Sequence, residues 1–219
     1  MVVKMVLWDN DGVLMDTEGL FMLSNKQVLS QHGIELTQEE FCDVNLTQGR
    51  SVLELISRGD EAKLDELRAQ RDELYSQLLS GSDCRIPGML DVVKAVGKTC
   101  RMAIVTSSKR NHFELMHKSS GIVEHMEFCL ASGDYPRSKP HPDPYLEAMR
   151  RAACSPDECL VVEDSPRGMQ AAVAAGIRCV VIPNPLVADR AWEEATRVVR
   201  TPQELLASLQ EIILAASNS

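Results

Sequence analysis

The chain has 219 residues, of which 44% are apolar, 25% charged and 4% aromatic, a soluble-protein balance with length for one large domain or a core plus a small accessory unit. Its formal net charge of -9 argues against nucleic acid or an anionic membrane as partner. No apolar run of about eighteen residues marks a membrane span, and the opening Met-Val-Val-Lys-Met-Val-Leu-Trp lacks a signal peptide's apolar stretch and cleavage site, so a cytoplasmic protein is expected.

A β-rich apolar run over residues 2–8 opens the chain and ends in Asp9-Asn10-Asp11-Gly12. From about residue 18 to 82 no convincing strand follows, and the segment reads as several helices in succession. Its clearest helix covers 61–80, where Leu64, Leu67, Leu74 and Leu78 recur at helical spacing and predict one buried face. Gly81-Ser82-Asp83 and Ile86-Pro87-Gly88 mark the return of the chain, so residues 16–19 and 83–87 are the hinge candidates. Further short apolar runs at 102–105, 127–131, 159–162 and 179–182 alternate with amphipathic stretches such as 142–153 and 167–175, and a last helix is predicted over 202–216. That alternation predicts an α/β fold, a Rossmann-like doubly wound parallel sheet with both faces covered. The division expected is a core of residues 1–17 and 83–219 with an inserted all-helical cap of residues 18–82.

The seven cysteines are odd in number and form no Cys-x-x-Cys pair, which suggests neither a disulfide framework nor a zinc site. The five histidines lack metal-ligand spacing and are read as surface or packing residues. No pattern suggests an interface between copies, and a monomer is expected.

Ligands of open parallel sheets bind beyond the carboxyl ends of the strands, so the polar residues after each run form one set. They are Asp9 and Asp11, then Thr106-Ser107-Ser108, then Lys139 in a loop, then Glu163-Asp164-Ser165. An EF-hand reading of the first motif fails on spacing, because Gly12 comes too early and Leu20 stands where the twelfth-position Glu is needed. Clustered carboxylates repel unless a cation joins them, and hard oxygen donors favour magnesium over zinc. A cation beside Asp9 would let that carboxylate approach a phosphate dianion.

With these motifs in order, Asp9-x-Asp11-Gly12-Val13, Thr106 after Ile104-Val105, Ser138-Lys139-Pro140, and Glu163-Asp164-Ser165 followed by Gly168, the sequence resembles the haloacid dehalogenase superfamily of phosphohydrolases. The resemblance is to the group with a small helical cap, which includes β-phosphoglucomutase and phosphoglycolate phosphatase. It implies Asp9 as nucleophile and Asp11 as general acid and base, with Thr106, the Ser107 amide and Lys139 holding the phosphoryl group. It also implies Mg2+ held by Asp9, Asp11 through its carbonyl, and Asp164, with Glu163 as ligand or neighbour, and it places Ser108 and Lys109 close to the substrate phosphate. Trp8 and Asn10 depart from the usual phenylalanine and apolar residue, departures expected to leave the catalytic reading unchanged.

Asp11 selects phosphate ester chemistry, since dehalogenases and phosphonate-cleaving members lack a carboxylate there. The nearest rival is a β-phosphoglucomutase-like enzyme, whose cap supplies a histidine after the first-loop Asp-Thr. Here that region reads Asp16-Thr17-Glu18-Gly19-Leu20-Phe21-Met22, and Tyr75-Ser76-Gln77 lacks the mutase lysine, so hydrolysis is favoured. A non-catalytic binding protein would show an eroded motif residue, and none is eroded. In the cap, Glu18 and Arg50 are the specificity candidates, for a small phosphorylated metabolite such as a sugar or sugar-acid phosphate.

Overall fold

The computed structural model describes residues 2–217. Six parallel strands, β1 (Met5–Trp8), β2 (Arg101–Val105), β3 (Phe128–Leu130), β4 (Cys159–Glu163), β5 (Arg178–Val181) and β6 (Arg197–Val198), lie in the order β3-β2-β1-β4-β5-β6. Met5 sits opposite Arg101 on one side and Cys159 on the other, so the sheet grows in both directions from β1. The carboxyl ends of β1 and β4 thus flank the point where the winding reverses, the crevice such sheets use for ligands.

All four side chains of β1 are fully buried, as expected of a parallel strand covered on both faces. Alternation sorts them into two layers. Val6 and Trp8 join a cluster with α5 (Met89–Val96), α6 (Arg110–His117) and α9 (Pro202–Ser217), through residues such as Val93, Phe113 and Leu209. Met5 and Leu7 face α7 (Asp143–Ala152) and α8 (Pro166–Ala174), through Tyr145, Ala148 and Ala172. Two-residue β6 escapes sequence reading because both its side chains are exposed and it carries no apolar run.

Between β1 and β2 the chain forms α1 (Glu18–Gln31), α2 (Gln38–Phe41), a π-helical turn (Cys42–Thr47), α3 (Glu54–Ser57) and α4 (Glu61–Ser80). Here Val28, Leu29, Phe41, Leu46, Leu53 and Leu67 make an apolar cluster of their own, joined by Val187 from beyond β5. The twenty-residue α4 starts where the Asp60 side chain accepts the Lys63 amide, a side-chain cap for an orphan donor.

The buried face of α4 differs from the leucine pattern: Leu64, Leu67, Tyr75 and Leu79 are buried, while Leu74 and Leu78 are only half-buried. The reason is that α4 serves two clusters. Leu64 and Leu67 pack within the helical segment, whereas Tyr75 and Leu79 pack into the layer beneath the sheet, so the stripe passes through Arg71 rather than Leu74. Among the described residues no helix is long and apolar enough to cross a membrane, and all seven cysteines are free.

Candidate active site

Asp9, the first residue after β1, is 7% exposed, and Lys139, 3% exposed, donates to it from the loop between β3 and α7. The Lys139 Nζ lies 2.6 Å from Asp9 Oδ1, 2.6 Å from Glu163 Oε1 and 2.9 Å from the Val105 carbonyl. Those three acceptors saturate the ammonium. Glu163 at the end of β4 is committed elsewhere too: Tyr145 donates to Oε1 at 2.5 Å, and the Asp164 amide donates to Oε2 at 3.2 Å. Asp164 is 1% exposed, and its Oδ2 is buried with no hydrogen-bond partner.

Burial and the adjacent Glu163 push Asp9 up to about 8, against the pull of Lys139. Burial and Asp9 raise Asp164 well above the carboxylate range. Burial alone would lower Lys139, but Asp9 and Glu163 outweigh it and hold the ammonium charged. One ammonium therefore faces Asp9, Glu163 and Asp164, each of which places an oxygen within 4.8 Å of the others. An all-oxygen, buried, charge-deficient set with an orphaned carboxylate oxygen fits a hard divalent cation.

Two glycines make this packing possible. A Cβ on Gly12, whose φ is +83°, would sit 1.9 Å from Asp164 Oδ2, and one on Gly168 would sit 2.0 Å from the Glu163 carboxyl. Gly12→Ala is expected to cost on the order of 1–3 kcal/mol, from a left-handed backbone plus the clash. A clear fall in the unfolding midpoint, accompanied by loss of activity, is the outcome to look for in urea titrations.

Asp11 is half-buried and surrounded by donors. Thr17 Oγ1 reaches Oδ1 at 2.8 Å and the Tyr75 hydroxyl at 3.5 Å, while Thr106 Oγ1 and Ser108 Oγ each reach Oδ2 at 2.9 Å. Thr106 Oγ1 also accepts the Ser108 amide at 3.0 Å. The Thr106 hydroxyl is thus spent on orienting Asp11.

Above these groups lies a cavity of about 500 Å3, lined by Asp9, Asp11, Glu18, Ser107, Ser108, Lys109 and Lys139 among the expected residues. Thr106, Glu163 and Asp164 lie behind this wall. Lys109 is drawn toward α4, its Nζ 2.7 Å from Asp72 Oδ2, and Arg71 Nε meets the other Asp72 oxygen at 2.7 Å. Arg50 is exposed and pairs with Glu54 four residues on, on a loop whose Gly49 abuts Lys139 and Pro140, and it is not among the residues that line the cavity.

The wall contains residues that sequence reasoning passed over: Arg68, Arg71, Asp72 and Tyr75 from α4, His112 from α6 and Arg167 from α8. For the α4 residues the signal is the helical spacing of polar side chains on the face that also carries Leu64 and Leu67; His112 and Arg167 carry no such signal. Arg167 Nε is buried without a hydrogen-bond partner, and burial pushes Glu18 up to about 7, with Arg167 drawing it back.

The family model described as haloacid dehalogenase-like hydrolase matches residues 6–182. Over 187 residues the chain is 29% identical to Protein SUPPRESSOR OF QUENCHING 1, chloroplastic, of Arabidopsis thaliana; the match covers 82% of this chain but 18% of that one. It is 26% identical over 220 residues to the phosphorylated carbohydrates phosphatase of Thermotoga maritima, covering 96% of this chain and 100% of the relative. The crystal structure of CbbY from Rhodobacter sphaeroides in complex with phosphate superposes with a TM-score of 0.80 at 24% identity, covering 96% of this chain and 100% of that one; this likeness bears on the fold.

Proposed function

The chain belongs to the haloacid dehalogenase-like hydrolase family, and from that premise we propose that it is a magnesium-dependent phosphomonoesterase working through an aspartyl-phosphate on Asp9. The observation that carries the reading is the convergence of Asp9, Asp11 and Lys139 on the floor of one polar cavity, with the orphaned Asp164 carboxylate behind them.

Asp9 Oδ1 is held by Lys139, which leaves Oδ2 to attack phosphorus. The new Asp9 oxygen to phosphorus bond forms as the bond to the substrate oxygen breaks, and Asp11 gives that oxygen its proton. Asp11 then takes a proton from a water whose oxygen attacks the same phosphorus, and the aspartyl bond breaks to return Asp9. Lys139 and the Ser107 amide stabilise charge on the phosphoryl oxygens. Magnesium, held by Asp9, Asp164 and the Asp11 carbonyl with Glu163 beside them, would supply the positive charge that lets a carboxylate meet a phosphate dianion.

Residues 18–82 act as the cap in this reading, and Glu18 and Arg167 offer an acceptor and a donor to the hydroxyls of a leaving group. A small sugar or sugar-acid phosphate suits that pair, in keeping with the carbohydrate-phosphate activity named for the Thermotoga maritima relative.

A panel of phosphomonoesters that includes β-glucose 1-phosphate tests the proposal when free phosphate and glucose 6-phosphate are measured separately, with magnesium and with EDTA. Metal-dependent phosphate release is expected. Glucose 6-phosphate without matching phosphate would make the chain a mutase, and turnover unaffected by EDTA would remove the metal.

Metal-free protein should also show the strain of its site. Asp9 is raised in the folded state from 3.8 to about 8 and Glu18 from 4.5 to about 7. Between those values the folded chain binds more protons than the unfolded one, so stability falls as pH rises. The unfolding temperature in EDTA is expected to drop from about pH 4 toward pH 8, and magnesium to restore most at the alkaline end. A flat profile would contradict this.

A further inference from the structure

Asn10 lies between the two aspartates and is fully buried. Its Oδ1 is 2.7 Å from His117 Nε2, the last residue of α6. The other ring nitrogen, Nδ1, is 2.8 Å from Ser120 Oγ, and that hydroxyl accepts the Ile122 amide at 3.1 Å.

The direction of every bond in this chain follows from its Asp11 end, because an ionised carboxylate only accepts. Asn10 Nδ2 therefore faces Asp11 Oδ2 at 3.3 Å and Met116 Sδ at 3.1 Å, which turns Asn10 Oδ1 toward His117 and makes Nε2–H the donor. In a neutral imidazole Nδ1 is then the acceptor, and the Ser120 hydroxyl, which accepts the Ile122 amide, donates its proton to it. His117 also packs on Phe113, ring centroids 4.5 Å apart, and burial holds the imidazole down to about 4, so it stays neutral in this role.

We propose that Ser120, His117 and Asn10 form a one-way hydrogen-bond relay that orients the Asp11 carboxylate, making His117 and Asn10 positioning residues for both proton transfers. The proposal rests on Asp11 being the acid and base of the phosphatase reading. With Thr17 on Oδ1, Asn10 joins Thr106 and Ser108 on Oδ2 and limits the rotation of the carboxylate. An apolar residue at position 10 could not do so, and a histidine at 117 would then have no acceptor for its proton.

The test compares His117→Phe and Asn10→Leu with wild type on two substrates. A sugar phosphate leaves as an alkoxide and needs the Asp11 proton, whereas p-nitrophenyl phosphate leaves as a stable phenolate and does not. Loss of orientation should lower kcat on the sugar phosphate by about tenfold to a hundredfold, within the range of general acid–base contributions, with KM little changed. On p-nitrophenyl phosphate the first turnover should stay near wild type while the steady state slows, giving a burst of p-nitrophenol, because water still has to be deprotonated. His117→Gln, which keeps an N–H donor in place of Nε2, should recover most of the loss. Equal losses on both substrates without a burst would reduce the pair to packing and overturn the relay.

Nitrogen-15 NMR of the imidazole gives a readout independent of turnover. The expected tautomer near neutral pH has the proton on Nε2, and a proton on Nδ1 would reverse the chain and refute it. A wild-type protein without turnover on any phosphomonoester would remove the phosphatase reading and the relay's catalytic role together, a result distinct from either variant outcome.

Discussion

Asp9→Asn should abolish phosphate release, by a factor on the order of 10^4 or more, while leaving the protein folded and at least as stable as wild type without metal. The activity loss follows from removing the proposed nucleophile, for which no neighbouring carboxylate can substitute. Glu163 is committed to Lys139, Tyr145 and the Asp164 amide, and Asp11 is bound by Thr17, Thr106 and Ser108. The gain in stability has a separate cause. Asp9 is a buried carboxylate pushed up to about 8 by burial and Glu163, and an amide of the same shape removes that repulsion while its oxygen can still accept from Lys139. Turnover within about tenfold of wild type would show that Asp9 is not the nucleophile. A large loss of stability would show that its charge is needed for folding.

Lys139→Met carries the other large effect, and it falls on stability and activity together. The ammonium bridges Asp9 and Glu163 at 2.6 Å each from a side chain that is 2% exposed. Its loss leaves two buried carboxylates facing each other with no cation, a change that costs about 3–5 kcal/mol when one partner of a buried ion pair is deleted. Urea unfolding in EDTA should register that drop, with magnesium recovering part of it by adding charge to the same cluster. Turnover with magnesium should still fall by about 10^2 to 10^3, the usual consequence of losing one stabiliser of developing charge. Near-normal stability without metal would mean that protonation of the carboxylates already balances the site.

The sequence is most readable where the fold and the proposed site share one residue. A buried strand that stops at a carboxylate announces both, and Asp9 after β1 and Glu163 closing β4 lie where their apolar runs end. Lys139 lies outside any strand and was recognised by its motif. Legibility failed on α4, where the leucine spacing suggested a seam through Leu74 and Leu78. A helix that leaves one apolar cluster and enters another need not keep one face inward, and Tyr75 turns toward Asp11 and the lower layer instead.

Long charged side chains were the second blind spot. Arg50 and Arg167 look alike in sequence, each standing beside a helix start, but one pairs with Glu54 in solvent and the other lines the cavity together with Glu18. Only the path of the backbone distinguishes them. His117 was read as a packing residue for the same reason, since its partner Asn10 is 107 positions away and no local spacing records the contact.

The covalent intermediate is the claim on which the rest depends, and trapping it is the most direct test. The Asp11→Asn variant should accept a phosphoryl group from p-nitrophenyl phosphate, which needs no acid, and release it slowly for want of a base. Acid quenching followed by peptide mass spectrometry should then find one phosphoryl group on the peptide containing Asp9, and none when Asp9→Asn is combined with Asp11→Asn. Substrate turnover without any phosphorylated peptide, or a phosphoryl group carried on a different residue, would contradict the account.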